Sequence, residues 1–227
     1  MRGMQGELGR LKNWRKMFEI IPSPGTEDKT FEETEKKLLA VKGLAKTIHI
    51  DIIDGKFAKN STFLDPKPFE KYSKDFLLEV HLMVDEPIKY LKSFADAGFK
   101  RFIGQIEKMS DQAEFVAEGE LLGEVGLGID LSTQVRDIKV SLSDLDSVLV
   151  MAVRAGFSGQ EFNEDAMEKI GELREKTDIP IEVDGGINER TIHIAKNIGA
   201  TRFVATRFIF GPDKLPEQQF ELLQKNL

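Results

Sequence analysis

Eight short runs rich in Ile, Val, Leu and Phe recur along the chain, and longer segments with helical spacing separate them. The runs fall near residues 18–21, 47–53, 77–83, 101–106, 124–129, 147–153, 180–184 and 202–205. Short apolar runs of this kind suit strands covered on both faces. Between them the spacing predicts a helix over 30–39, with Phe31 and Leu38 on its buried side. A second spans 87–97, with Pro87 at its start and Ile88, Leu91 and Phe94 at helical spacing. Two more span 163–177 and 189–198, and Gly199 stops the last. Each crossover helix returns the chain to the same end, so the strands pair in parallel. An open doubly wound sheet and a closed barrel both satisfy this. Eight strands in 227 residues favour the α/β architecture of a (β/α)8 TIM barrel. The expected organisation is one barrel domain over 17–227 after an N-terminal extension over 1–16, helical in character and carrying Trp14. The extension either caps the barrel bottom or marks an upstream start, with Met17 opening the core.

Composition narrows the function. A net charge of −7 is a poor match for nucleic acid or an anionic membrane, both of which attract basic patches. It leaves room for a small anionic substrate, because backbone N–H groups bind phosphate. With no cysteine, disulfides and thiolate metal sites are impossible, and a metal must use histidine, carboxylate or water. No apolar run approaches the roughly 20 residues of a membrane span. The basic segment 1–17 lacks the apolar block of a signal peptide, so the expected location is cytoplasmic.

Barrel chemistry sits at the C-terminal ends of the strands. The second run ends in His49-Ile50-Asp51, the third in Glu79-Val80-His81-Leu82-Met83, and the seventh in Glu182-Val183-Asp184. Alternation puts His49 and Asp51 on one face. Each of these residues alone reads as a satisfied buried polar group. Together His49, Asp51, His81 and Asp184 favour one divalent metal ion, Zn, Fe(II), Mn or Co. The third histidine, His193, lies in a helical pattern and is expected as a helix-surface or packing residue. Asp54 is expected to cap the turn at Gly55. Turns at Gly156-Phe157-Ser158-Gly159 and Gly185-Gly186, with Thr206-Arg207 after the last run, suit a phosphate. Arg207 is either a phosphate partner or an outward surface charge.

Several of these stretches resemble the ribulose-phosphate 3-epimerase family. Ile48 to Phe57 with Asn60 resembles its first signature, and Val80 to Pro87 its strand-three motif. Val150-Met151 with Gly156 to Phe162 resembles its second signature, and Val183 to Asn188 its strand-seven motif. Pro22-Ser23 fits its opening, and the similarity runs over 18–210. The resemblance implies His49, Asp51, His81 and Asp184 as metal ligands, with Asp51 and Asp184 as the acid–base pair. It implies a phosphorylated ketose substrate, by default D-ribulose 5-phosphate, epimerised at its third carbon through an enediolate. Phosphate would lie against Gly156, Phe157, Ser158, Gly159, Gly185, Gly186, Thr206 and Arg207, and Ser23 and His81 would meet the sugar. Met83 and Met151 would line the pocket, although each alone serves equally as core filler. The family also implies a homo-oligomer and a place in pentose phosphate metabolism.

The chain departs from the family pattern at Ile53, Ala58-Lys59, Gln105, Ala152, Arg154-Ala155 and Thr206-Arg207. None of these is a ligand or acid–base position. The departures keep open another ketose phosphate, such as allulose 6-phosphate, or a non-catalytic phosphosugar-binding relative. A decarboxylase of the orotidine-phosphate type would need a lysine beside the aspartates, and none accompanies His49 and Asp51.

Overall fold

The computed structural model describes residues 18–227, so the expected extension over 1–16 lies outside the described residues. Among those residues, eight strands run in parallel: β1 (Glu19–Pro22), β2 (Thr47–Ile53), β3 (Leu77–Met83), β4 (Arg101–Gln105), β5 (Glu124–Ile129), β6 (Ser147–Met151), β7 (Ile181–Asp184) and β8 (Arg202–Ala205). Each strand from β2 to β8 pairs with the next, and β8 pairs with β1. Among the described residues the seam between β1 and β2 has no backbone ladder. Side chains bridge it instead: Thr47 donates to Glu19 near the strand starts, and Ser23 to Asp51 near their ends. The result is the expected (β/α)8 TIM barrel, nearly closed.

The helices are α1 (Phe31–Val41), α2 (Ile88–Asp96), α3 (Gln112–Glu120), α4 (Asp165–Lys176), α5 (Glu189–Ile198), α6 (Arg207–Phe210) and α7 (Pro216–Gln224). Thr30 and Glu33 form a reciprocal cap at the start of α1, which buries Phe31, Thr34, Leu38 and Val41. Asn188 caps α5, and Gly199 ends it at φ 129°. Two crossovers contain only 3-10 turns: Lys67–Tyr72 between β2 and β3, and Val135–Asp137 with Leu142–Asp144 between β5 and β6. In the first, Pro66 and Pro68 remove two amide donors within three residues.

β1 lies one residue later than expected, and two other strand ends fall short of expectation. β4 stops at Gln105, and Ile106–Lys108 winds into a 3-10 turn. β6 stops at Met151 rather than 153, because the Ala152 carbonyl turns to accept from the Asn163 N–H ahead of α4.

Strand alternation sorts the core into two parts. Outward side chains such as Ile48, Ile50, Ile52, Leu78 and Leu82 pack with Leu38, Phe94, Leu173 and Leu223 of the helices. Inside the barrel a smaller apolar cluster, Ile53, Met83, Ile103, Leu149, Met151 and Val153, lies towards the mouth. Towards the floor the interior is ionic. Arg101, buried, donates to Glu79 Oε2 and to Glu124 Oε2, each at 2.6 Å.

Candidate active site

His49 lies between the ionic floor and the mouth, and its ring faces both. Nδ1 is 2.6 Å from Glu79 Oε1, and Nε2 is 3.1 Å from Asp51 Oδ1. β2 and β3 pair in register with Asp51 opposite His81, which places His81 Nδ1 3.1 Å from the same Asp51 oxygen. The other His81 nitrogen, Nε2, meets Gln105 Oε1 at 2.8 Å. Asp184 arrives from β7, across the barrel. One ligand atom from each of His49, Asp51, His81 and Asp184 lies within 4.8 Å of all the others. Two imidazole nitrogens and two carboxylate oxygens at that spacing can hold a metal ion, and the donor set suits a divalent cation.

Burial divides the four by role. Both rings are fully buried, whereas Asp51 is 7% and Asp184 8% exposed, so only the carboxylates reach the cleft above. Their proton affinities also diverge. Burial alone would raise Asp51, but the charge and hydrogen bonds of His49 and the bonds from His81 outweigh it and hold the carboxyl well below the usual range. Burial and the neighbouring Asp51 charge push Asp184 up to about 6. Burial works against protonation of His49 and His81, yet Asp51 holds both above the usual imidazole range, assisted at His49 by Glu182 and Glu79.

The cleft is lined by Asp51, Asp184, Met83, Met151, Gly156, Phe157, Ser158, Gly159, Gly185, Gly186, Thr206 and Arg207. The structure therefore brings the expected glycine-rich turns together with the carboxylates. Arg207 folds onto the cleft wall, where its Nη1 donates to the Gly159 carbonyl at 3.1 Å. Ser23 and His81 are fully buried behind the lining. Ser23 bonds Asp51 rather than facing the cleft. His193 is exposed and bonds Asn226, and Asp54 accepts from Lys56 and Phe57 N–H, both as expected.

The contacts between the loops carry no signal in the sequence, although Ser158 and Asn60 belong to the motifs named above. Thr26 and Ser158 exchange two backbone-to-hydroxyl bonds of 2.9 Å, tying the loop after β1 to the loop after β6. Asn60 Nδ2 donates to the carbonyls of Thr26 and Gly156, which joins a third loop to them. Glu182, fully buried, lies 3.4 Å from His49 Nδ1 without hydrogen-bond geometry at either oxygen.

A parallel eight-stranded barrel whose mouth carries two imidazoles and two carboxylates beside a glycine-lined cleft defines a TIM-barrel protein with a candidate metal centre. The profile of the ribulose-phosphate 3-epimerase family matches residues 20–210, and the chain belongs to that family of isomerases acting on carbohydrates. It is 36% identical to ribulose-phosphate 3-epimerase of Bacillus subtilis strain 168 over 182 residues, 75% of this chain and 82% of that one. It is 32% identical to the Chlamydia pneumoniae enzyme of the same name, over 90% of this chain and 93% of that one. Among solved structures it resembles KGPDC from Streptococcus mutans, with a TM-score of 0.69 at 11% identity, covering 93% of this chain and 97% of that one. At that identity the likeness concerns the fold alone.

Proposed function

We propose that the protein is a metal-dependent epimerase that inverts the third carbon of a ketose phosphate, with D-ribulose 5-phosphate and D-xylulose 5-phosphate as the default pair. The observation that carries this is geometric: Asp51 and Asp184 face one cleft and converge with His49 and His81 on a single cluster. Epimerisation requires a base on one face of a planar intermediate and an acid on the other. Asp51 on β2 and Asp184 on β7 approach the cleft from different sides of the barrel, which suits those two duties.

A carbon acid beside a ketone is weaker than a carboxylic acid by roughly ten pKa units, at about 1.4 kcal/mol each, so a carboxylate alone is insufficient. His49, Asp51, His81 and Asp184 would hold a divalent cation (Zn, Fe(II), Mn or Co), which would supply the positive charge that the developing negative oxygen needs. Asp51 takes the proton in one direction and Asp184 returns one to the opposite face. In reverse the two exchange duties. Met83 and Met151 exclude water from the reacting carbon. The turns at Gly156–Gly159, Gly185-Gly186 and Thr206-Arg207 present backbone N–H groups and a guanidinium to the phosphate.

Thr206-Arg207 lies on the cleft wall, so the family departure there bears on substrate preference and supports a second reading, epimerisation of another ketose phosphate. A panel of ketose phosphates in deuterated water, with each metal added in turn, tests both. Deuterium should enter the third carbon of at least one substrate. Absence of exchange across the whole panel rejects the epimerase.

A further inference from the structure

Gln105 is fully buried on β4 and directs its amide oxygen at His81 Nε2, 2.8 Å away. Its own Nε2 has no hydrogen-bond partner among the described residues. Leaving a buried donor unpaired carries a free-energy cost. The amide thus carries that cost with its acceptor on the imidazole.

Space for the contact comes from one glycine. Gly128 on β5 stands opposite Gln105 in the ladder. A Cβ there would lie 2.2 Å from Gln105 Oε1 and 3.3 Å from His81 Nε2. Gly128 is not among the glycines with positive φ, so its backbone is one that any residue adopts. Glycine inside a strand weakens it, and close approach is the usual reason to find one there.

A histidine binds a cation through a bare nitrogen, and the partner of its other nitrogen sets which one is bare. His81 presents Nδ1 to Asp51 and the four-residue cluster. An acceptor at Nε2 keeps a hydrogen there, so the one that Nδ1 shares with Asp51 is the one a cation would displace. The flipped amide would offer a donor to Nε2, move the hydrogen to Nδ1 and block the cluster. His49 is set the opposite way, with Nδ1 on Glu79 and Nε2 towards the cluster.

We infer that Gln105 is a positioning residue: its carbonyl oxygen, admitted by the missing side chain of Gly128, fixes His81 in the one tautomer that can ligate through Nδ1. This presupposes the metal-centred reading proposed above. The test measures zinc affinity by chelator competition, together with histidine 15N spectra of the zinc-loaded protein. The proteins compared are wild type, Gln105→Leu, Gln105→Glu and Gly128→Ala. Gln105→Leu should bind zinc about 10- to 100-fold more weakly, the usual loss when a partner behind a ligand is removed. It should also lose the single pattern of a coordinated Nδ1 and protonated Nε2 at His81. Gln105→Glu keeps an acceptor and should restore both. Gly128→Ala leaves Gln105 in the sequence but displaces its oxygen, so it should repeat the loss and serves if Gln105→Leu does not fold. Wild-type affinity and spectra in Gln105→Leu or in Gly128→Ala overturn the inference, as does a loss in Gln105→Glu equal to that in Gln105→Leu. A wild-type protein that binds none of zinc, iron(II), manganese or cobalt rejects the metal reading, and this inference with it.

Discussion

Ser23 Oγ donates to Asp51 Oδ2 at 3.1 Å across the seam of the barrel that lacks a backbone ladder. The same hydroxyl oxygen accepts from the Gly25 N–H at 3.1 Å, which leaves its hydrogen to the carboxylate. Asp51 is therefore contacted by Ser23, His49 and His81. A hydrogen bond to a charged group contributes about 1.5–3 kcal/mol, and this one favours the ionised form. Ser23→Ala should raise the proton affinity of Asp51 and lower the rate by roughly tenfold, which corresponds to about 1.4 kcal/mol. The acid limb of the pH–rate profile should move to higher pH. An acid limb that stays in place removes Ser23 from the control of Asp51.

Asp184→Asn keeps the shape and removes the proton carrier. Positioned acid–base groups contribute about 10²- to 10⁴-fold, so deuterium exchange should fall by at least a hundredfold. Circular dichroism should be unchanged, because Asp184 makes no side-chain hydrogen bond among the described residues. Exchange at the wild-type rate takes Asp184 out of the chemistry.

The eight strands and four cluster residues were legible because both depend on local pattern. Period-two alternation places His49 beside Asp51, and a barrel gathers strand ends whatever lies between them. The seam was not legible, because strand count does not say which neighbours keep a ladder. α3 leaves little trace in the sequence because Glu114, Glu118, Gly119 and Glu120 dilute the apolar signal of Phe115 and Val116. Glu79 and Glu182 were visible only as parts of strand motifs, and Gln105 only as a departure. Their roles depend on cross-strand register, Glu79 opposite both His49 and Arg101, and Gln105 opposite Gly128. One residue of slip would send each side chain to the other face.

Glu182 makes stability depend on pH. Burial and the nearby Glu79 charge push its carboxyl from 4.5 up to about 7. A raised folded-state pKa means the folded protein binds the proton more tightly. The stability so gained is fully present below 4.5 and is lost as pH rises through about 7. Glu182→Gln cannot ionise. The metal-free variant should match wild type near pH 4 and exceed it near pH 8, by up to roughly 3 kcal/mol at about 1.4 kcal/mol per pKa unit. Urea unfolding across that range checks the sign. A variant no more stable than wild type at pH 8 shows that His49, 3.4 Å away, compensates the charge fully.

Gly186 and Gly43 separate backbone strain from crowding at the cleft. Both have positive φ, 66° and 84° respectively. A Cβ on Gly43 meets nothing within 4 Å, whereas one on Gly186 would sit 2.4 Å from the backbone nitrogen of Phe162. Gly43→Ala should therefore cost about 1 kcal/mol of stability, the usual penalty for a left-handed alanine, with activity unchanged. Gly186→Ala adds a collision with backbone, which cannot rotate away as a side chain can. It forces the turn after β7 apart from the segment after β6, and both line the cleft. Substrate phosphate should then bind worse, and kcat/KM should fall by more than tenfold while inorganic phosphate becomes a weaker competitive inhibitor. Phosphate inhibition equal in the two variants would place the phosphate elsewhere, because strain alone is common to both.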